Sequence, residues 1–524
     1  MIGYTLRDKD FVEVALKGLK RDGKFGFLAQ IDQLFSPDGY YVEGPYYQRY
    51  AMLPFVLFAR FIAANQPEQK IFQHRDGVLL KAIRTSIQTT YDGYFFPFND
   101  AMPDKSLKTD ELYQSVAIGY EATRDPALLS IAKWQGRTVL TPDGLMVARD
   151  LAAGKAQPFP FVSQFLSDGP RGEMGGLAIM RSGPGDSDQV LVAKNAAMGM
   201  GHGHFDKLSY ILYDNGHAIV TDYGAARFLN VESKDGGRYL KENESWAKQT
   251  VAHNTLVVNE TSNFGGKWKV GDKLAPGQLF WASTPQATIS TAEMAGAYPG
   301  VRYRRTLVQL PVAGIESPMI VDLLDVTGDK PATYDLPLHY AGQITAIGFP
   351  LQSNTAERPV LGKANGYQHI WVDATGTPGA ENGAVTWIND NRFYTYRMLA
   401  PAGASVILGE SGANDPRFNL RREPLLIERV AGVANAQFVN LLEPHGNYDA
   451  GEERTTASNS RVKGFTHVRT NDADLVTIRL ADGRAITLAI AFSADANAAH
   501  SAAVDGRKLD WRGHFARFDA GKGN

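Results

Sequence analysis

The chain has 524 residues and no cysteine, which excludes disulfide bonds and thiolate chemistry. Histidine and carboxylate side chains remain as ligands for a metal ion. No apolar run reaches the roughly 20 residues that a membrane-spanning helix needs, and the first residues lack the apolar segment of a signal peptide. Such a beginning is expected of a cytoplasmic protein, of a mature exported protein, or of a sequence whose start lies upstream.

An excess of charge of one sign is also missing. Lysine and arginine number 54 and aspartate and glutamate 56, which leaves a net charge of −2. No global field would attract a polyanion, so we expect no nucleic-acid partner, and an anionic substrate would be held by local arginine, lysine and histidine side chains. The length predicts two or three domains.

Residues 1–155 are predicted to form an α-helical domain. Their apolar residues recur at helical spacing, and about six helices, paired antiparallel, are expected. Loops rich in aromatic and turn residues separate them, among them residues 91–100 and the turn at residues 141–144. The clearest helical segments are Phe11–Leu19, Tyr50–Ala64, Ile71–Ile87, Leu112–Tyr120 and Pro126–Trp134.

The second part of the chain is predicted to be antiparallel β structure. Residues 156–172 carry many helix and strand breakers and are expected to be a linker. From residue 173 to 524 the apolar period is mostly two, which favours a large sandwich-type β region. Asn215 and Gly216 predict a hairpin turn. Strand candidates include Gly176–Ser182, Gln189–Lys194, Leu208–Tyr213, Ala218–Asp222, Thr255–Val258, Val301–Leu310 and Met319–Val326.

Four of the eleven histidines lie between residues 202 and 253. His202 and His204 are two residues apart, so in an extended segment both side chains leave the same face. Together with Asp222 and His253 they indicate a site. The alternative is that these are ordinary polar residues at a β edge, hydrogen-bonded to loops.

The hairpin register decides whether Asp222 faces the histidines. A two-residue loop pairs Asp222 with Ser209, on the opposite face from His204. A three-residue loop that includes Asp214 pairs Asp222 with Leu208, on the same face, and we favour this loop if the residues share a metal. His204, Asp222 and His253 would then form a set of two histidines and one carboxylate that suits Zn²⁺.

A second group of chemistry-bearing residues lies at positions 40–50 (YYVEGPYYQRY). It is either a loop packed by its own aromatic rings or a binding surface. In the second interpretation the guanidinium of Arg49 stands beside the phenol of Tyr47 and lowers the phenol pKa from about 10. Exposed tyrosines also stack on sugar rings, so this segment is a candidate for carbohydrate binding.

Five segments together resemble one known family. They are residues 36–50 (SPDGYYVEGPYYQRY), 199–206 (GMGHGHFD), 222–228 (DYGAARF), 246–258 (WAKQTVAHNTLVV) and 443–446 (EPHG). These long motifs resemble the oligoalginate lyases of polysaccharide lyase family seventeen, within the heparinase II/III-like group. The likeness runs over most of the chain.

The resemblance implies an α+β multidomain fold, in which an incomplete (α/α) toroid of helical hairpins is followed by the antiparallel β region. It implies a carbon–oxygen lyase that cleaves alginate oligosaccharides by β-elimination, acts from the chain end and releases unsaturated uronate monomer. In this reaction the uronate carboxylate must be neutralised, and tyrosine or histidine transfers the protons. The alternatives are a lyase for another acidic glycan, heparin-like or glucuronan, and a non-catalytic uronan-binding protein.

The resemblance also implies roles for individual residues. The catalytic residues implied are Tyr47, Tyr239 and His202. The substrate-binding residues implied are Arg49, Arg227, Tyr46 and Gln48. The metal ligands implied are His204, Asp222 and His253, holding a structural Zn²⁺. His445 also lies in a family motif, without an assigned role.

In the family the toroid begins further upstream and carries an Asn-His pair. No such pair occurs before residue 150, where His74 is the only histidine. The resemblance therefore implies either a form shortened at its N-terminus, lacking the first part of the toroid, or a true start that lies upstream of Met1. It further implies a periplasmic or secreted protein, with the cytoplasm as the alternative, no membrane partner, and compatibility with a homodimer.

Overall fold

A computed structural model describes residues 1–185, 188–229, 237–379, 383–415, 417 and 419–521. Within this part of the chain a helical region precedes a series of antiparallel sheets, so the predicted α+β architecture is confirmed. No described helix is long and apolar enough to cross a membrane. The helices are α1 (Ile2–Leu6), α2 (Lys9–Lys17), α3 (Phe27–Leu34), α4 (Pro45–Asn65), α5 (His74–Gln88), α6 (Asp110–Thr123), α7 (Pro126–Gln135), α8 (Pro142–Ala152) and α9 (Trp268–Gly271).

The first eight helices follow local sequence signals, and only some of these helices were predicted from the apolar spacing. The turn predicted at residues 141–144 is instead the start of α8, where the hydroxyl of Thr141 accepts a hydrogen bond from the Gly144 backbone N–H and Pro142 occupies the first helical position. Helix α3 has only eight residues and is not among the predicted helices. The predicted helix from Ile71 to Ile87 is interrupted at residues 75–77, whose φ angles are positive.

The helices surround a core of aliphatic and aromatic side chains. Met52, Val56, Ile83, Leu112 and Leu129 are among its fully buried members. Burial of such side chains contributes about 1.5–3 kcal/mol each relative to exposure. A two-stranded hairpin, β1 (Thr90–Tyr91) and β2 (Tyr94–Phe95), leaves this core and leads into the loop before α6.

Next comes a five-stranded antiparallel sheet in chain order. Its strands are β3 (Gln164–Ser167), β4 (Gly176–Arg181), β5 (Val190–Asn195), β6 (Ser209–Asp214) and β7 (His217–Val220). The range 156–172, predicted as a linker, therefore contains a strand of this sheet. Pairing with β4 gives β3 an ordered place that its lack of apolar periodicity did not predict.

The β6–β7 hairpin corrects the predicted register. Asp214 pairs with His217, so Asn215 and Gly216 form a two-residue loop, and the favoured three-residue loop is wrong. Both loop residues have positive φ, as the tight turn requires. A bulge at Ile219 then shifts the pairing by one residue, because Tyr213 pairs with Ala218 but Leu212 with Val220.

The remaining strands form larger and smaller sheets, all antiparallel in their pairings. A thirteen-stranded sheet contains β8 (Val257–Val258), β9 (Gly277–Ser283), β10 (Thr288–Tyr298), β11 (Val301–Leu310), β12 (Met319–His339), β13 (Gln343–Ile347), β14 (Leu351–Ser353), β15 (Ile370–Gly376), β16 (Gly383–Asn389), β17 (Arg392–Leu399), β18 (Ser405–Ser411), β19 (Pro424–Asp449) and β20 (Arg454–Thr456). A four-stranded sheet contains β21 (Val462–Arg469), β22 (Ala473–Leu480), β23 (Ala485–Ala491) and β26 (Phe515–Ala520), and β24 (Ala499–Val504) pairs with β25 (Arg507–Arg512).

Candidate active site

Asp100 is the centre of a hydrogen-bond network between the helical region and the five-stranded sheet. Its loop follows β2. One carboxylate oxygen lies 3.2 Å from Nδ1 of His202, and the other lies 3.2 Å from Nε2 of His204. Asn243 donates a further hydrogen bond to the second oxygen at 2.7 Å. Burial alone would raise the pKa of Asp100, but the two histidines lower it below its ordinary value, so the carboxylate is ionised.

His202 lies on a short helical turn, Met200–His202, rather than on the extended segment expected from the sequence. Its ring nevertheless meets the same carboxylate as His204. The ring stacks on Tyr47, with the centroids 3.7 Å apart and the planes inclined by 19°. The side chain is 14% exposed. Because Nδ1 faces an ionised carboxylate, we assign the proton to Nδ1, which leaves Nε2 with a free lone pair.

Tyr47 lies in the first turn of α4. Burial first, and the charge of Asp100 second, raise the pKa of Tyr47 above its ordinary value. The expectation that Arg49 lowers the pKa of Tyr47 is therefore wrong. The Arg49 guanidinium instead lies over the rings of Tyr50, at 3.8 Å, and Tyr46, at 5.0 Å. The phenol of Tyr47 is thus neutral over the ordinary pH range.

The other predicted residues of this helix are buried. The amide of Gln48 is fully buried and forms hydrogen bonds with the backbone of Tyr41, Gly39 and Ala82, at 3.1, 2.8 and 3.0 Å. These bonds account for the amide within the protein, and the substrate-binding role of Gln48 stays a prediction. Its physical role is to tie the preceding loop to α5.

Arg49 and Tyr46 are also buried, in a different environment. Arg49 lies 3.9 Å from Glu111 of α6, and two of its guanidinium nitrogens have no hydrogen-bond partner among the described residues. Tyr46 packs against Ala101 and Ala225 beside the Asp100 loop. Their substrate-binding roles stay predictions.

Tyr239 and Arg227 flank the stretch 230–236, which lies outside the described residues. Tyr239 ends a short turn, Gly237–Tyr239, and is 74% exposed. Arg227 is partly buried, and its Nε has no hydrogen-bond partner in the described ranges. The neighbouring Arg238 contacts the ring of His202. The catalytic role of Tyr239 and the binding role of Arg227 stay predictions.

His204, Asp222 and His253 are brought together in the interior. One ligand atom from each lies within 4.8 Å of the others, and all three residues are buried. Nδ1 of His253 lies 2.9 Å from Asp222, whereas Nδ1 of His204 and Nε2 of His253 have no hydrogen-bond partner among the described residues. Buried unpaired nitrogens are costly. The donor set and these free nitrogens fit a zinc ion.

Two buried side chains hold the segments that carry these ligands. The Asn254 amide donates to the backbone oxygens of Tyr210, at 2.9 Å, and Thr221, at 2.7 Å. Arg305 donates to the backbone oxygens of Asn254 and Leu208, the second at 2.8 Å. Asn254 follows the predicted ligand His253, and Thr221 precedes the predicted ligand Asp222, so these bonds hold two of the ligand-bearing segments against the sheets.

A buried ion pair and its hydrogen bonds hold the loop that carries Asp100. Lys194 of β5 forms an ion pair with Asp206 and a hydrogen bond to Asn99, and the Lys194 and Asp206 side chains are 2% and 0% exposed. Asn99 in turn donates to the Glu43 backbone oxygen at 2.8 Å. The residue before Asp100 is thereby tied to both the helical region and the sheet.

Comparisons with known proteins show the family to which the chain belongs. Residues 166–484 match the family model described as heparinase II/III-like, C-terminal. The chain belongs to the heparinase II/III-like family. It is 52% identical over its whole length to an alginate lyase of Stenotrophomonas maltophilia and 48% identical over 98% of its length to an exo-oligoalginate lyase of Saccharophagus degradans, covering 70% of each relative.

Solved structures of a heparan sulfate lyase and of a heparinase III share the fold. A heparan sulfate lyase from Pedobacter heparinus superposes with a TM-score of 0.62 over 93% of this chain and 63% of its own, at 14% sequence identity. A heparinase III gives a TM-score of 0.61 over 93% of this chain and 60% of its own, at 12% identity. This chain thus spans about three fifths of the length of those structures, and the likeness describes the fold.

Within this family fold, sequence reasoning missed Asp100 and Arg238. Asp100 ends the segment Phe98-Asn99-Asp100, which looks like an ordinary turn. An acidic residue at the end of an aromatic loop is the sequence feature that could have indicated Asp100 as a site residue. His445, whose role was left open, has both ring nitrogens occupied by Thr395 and Ala457, which indicates a structural residue.

Proposed function

We propose that this protein is a polysaccharide lyase that cleaves alginate oligosaccharides by β-elimination, acting from the chain end and releasing unsaturated uronate monomer. The observation that carries the proposal is the His202 ring, which stacks on Tyr47 and is bonded to Asp100. The two relatives named as alginate lyase and exo-oligoalginate lyase support the substrate. Family membership supports the reaction class.

The proposed chemistry follows from where His202 and Tyr47 carry their protons. Nε2 of His202 takes the proton from C5 of the uronate, since Nδ1 is bonded to Asp100. The electron pair forms the C4–C5 double bond and the C4–O4 bond breaks. The neutral phenol of Tyr47 donates its proton to O4, because its raised pKa keeps the proton available. One proton is removed and one is supplied, so the step is balanced.

The decisive experiment is mass spectrometry of the products formed from alginate oligomers by the full-length protein. Unsaturated monomer that accumulates from the first time point is expected for exolytic action. Unsaturated dimers and trimers at early times would contradict the exolytic part alone. Heparan sulfate and glucuronan oligomers serve as comparison substrates, and absence of products from alginate together with products from either would contradict the substrate.

Tyr239→Phe is expected to reduce kcat by roughly 10²-fold or more, because the family resemblance implies that this exposed phenol is a catalytic residue in addition to His202 and Tyr47. The affinity for oligomer should change little, because the aromatic ring remains. Initial rates over a range of oligomer concentrations separate kcat from KM. Wild-type kcat in this variant would remove Tyr239 from the catalytic residues.

For the metal, we infer that His204, Asp222 and His253 hold a structural zinc ion. When bound, the ion supplies cross-links between three segments of the β region. The free ring nitrogens of the two histidines support this inference, and the buried carboxylate balances part of the charge. Elemental analysis of the purified protein tests it directly. A folded preparation without metal would contradict it.

His253→Ala is expected to lower the free energy of unfolding by about 3–5 kcal/mol, because it leaves the Asp222 carboxylate buried without its partner. Thermal denaturation with and without a strong chelator measures the effect. The chelator should destabilise the wild type and leave the variant unchanged. His217→Ala is the matched control, since His217 is half exposed. An unchanged melting temperature in His253→Ala would contradict the structural role.

A further inference from the structure

Arg238 lies against His202, yet no sequence motif singles it out. It belongs to the turn Gly237–Tyr239 and is exposed. Its Nη1 lies 3.4 Å from Nδ1 and 3.3 Å from Nε2 of His202. The two ring nitrogens flank one carbon, so a group in the ring plane at equal distance from both would clash with that carbon. Nη1 therefore lies over the face of the ring.

The two faces of the His202 ring are thus covered by different groups. Tyr47 stacks on one face at a centroid distance of 3.7 Å. Arg238 covers the other, because both groups at these distances cannot occupy the same face. The edge of the ring that carries Nε2 remains between them. A sugar that approaches this edge would meet the phenol on one side and the guanidinium on the other.

The charges around His202 require a cation if an acidic sugar is to bind. Asp100 lies 3.2 Å from Nδ1, and Glu43 lies 4.0 Å from Nε2. Both repel a third carboxylate at the same place. Arg238 is the arginine in contact with the ring, and no carboxylate of the described residues is within ion-pair distance of it.

The arginines suggested by sequence do not meet this requirement as directly. Arg49 is buried, lies between tyrosine rings and is 3.9 Å from Glu111. Arg227 is partly buried, and no contact with His202 is among its interactions in the described ranges. An exposed guanidinium that has no carboxylate partner among the described residues is suited to bind a carboxylate, because its planar donors match the two oxygens.

We propose that Arg238 binds the carboxylate on C5 of the uronate whose C5 proton is removed. This inference rests on the proposed lyase function. As the proton leaves C5 for His202, negative charge spreads onto the carboxylate, and the guanidinium stabilises that charge. The electron pair forms the C4–C5 double bond and O4 leaves with the proton of Tyr47. Arg238 would thus contribute to both binding and the rate of the step.

Steady-state kinetics with Arg238→Ala and Arg238→Lys test the proposal. Arg238→Ala should raise KM by roughly 10–100-fold and also lower kcat, since a charge-assisted pair is lost. Arg238→Lys should restore KM and kcat in part, because lysine keeps the positive charge but lacks the planar guanidinium donors. Arg302→Ala is the matched control, as the Arg302 side chain is 64% exposed on β11. Its kinetics should equal those of the wild type.

A neutral substrate distinguishes carboxylate binding from a structural role. Mannuronate oligomers and their methyl esters are compared on each variant. The effect of Arg238→Ala on KM and kcat should be large for the acid and small for the ester, because the ester carries no charge for the guanidinium to bind. An equal loss on both substrates, or wild-type values on the acid, would overturn the proposal.

Binding without turnover separates this inference from the proposed function. Calorimetric titration of a mannuronate trimer is carried out with Tyr47→Phe and with Tyr47→Phe/Arg238→Ala. An affinity at least about tenfold lower in the double variant supports the role of Arg238 even if the wild type releases no unsaturated product, a result that would contradict the lyase function alone. Equal affinities would overturn the role of Arg238 whatever the wild type does.

Discussion

Replacement of Tyr47 by phenylalanine is expected to reduce kcat by roughly 10²–10⁴-fold, while the affinity for alginate oligomers stays close to that of the wild type. The phenol is the proton donor in the proposed step, and its raised pKa keeps it protonated. A phenylalanine ring can still stack on His202. The change therefore removes one proton-transfer group and little else.

Folding should hardly be affected by this substitution. Among the described residues the phenol forms one long hydrogen bond, 3.4 Å to the backbone oxygen of Asp100. The free energy of unfolding, measured by thermal denaturation, should equal that of the wild type within about 0.5 kcal/mol. Single-turnover kinetics and calorimetric binding separate chemistry from affinity. Tyr113→Phe removes a phenol from α6 as the control, and full activity in Tyr47→Phe would contradict the assigned role of Tyr47.

The parts of the structure that sequence predicted best depend on local signals. The strand Val301–Leu310 and the Asn215–Gly216 turn are set by alternating side chains and by residues that tolerate positive φ. The order of helices and sheets follows from the change of period. The bulge at Ile219 was not predictable, because an extra residue in a strand leaves little trace in the hydrophobic pattern.

In the candidate site, too, some residues could be predicted from sequence and others could not. Motif resemblance selected His204, Asp222 and His253, and these residues are brought together. It also selected Gln48, whose amide is used entirely by the backbone of its own region. Asp100 was missed because its partners lie more than a hundred residues away in sequence. Contacts of this kind are determined by the docking of the helical region on the sheet.

Asp100→Asn is expected to impair catalysis and metal retention together. One oxygen of Asp100 meets His202, whose other nitrogen is the proposed base, and the second meets His204, whose other nitrogen lacks a partner in the described part of the chain. A carboxylate that accepts from both rings fixes both tautomers. One side chain thus prepares a proton acceptor on one side and a metal ligand on the other.

An asparagine at this position cannot serve all of these donors. The amide has one acceptor oxygen, and its own N–H groups would oppose a histidine or the amide of Asn243. We expect kcat to fall by roughly 10²–10⁴-fold and zinc affinity by roughly 10–100-fold. The free energy of unfolding should fall by about 1–3 kcal/mol, because buried donors lose their acceptor.

Three measurements on Asp100→Asn separate these effects. Elemental analysis after dialysis gives metal retention, thermal denaturation gives stability, and kinetics with excess zinc give the catalytic effect alone. The loss of kcat should persist with the metal site filled, because the tautomer of His202 does not depend on the ion. Asp104→Asn, on the same loop and more than half exposed, is the control. Recovery of kcat on adding zinc would limit Asp100 to the metal site, and wild-type values in all three measurements would contradict the proposed link between the two histidines.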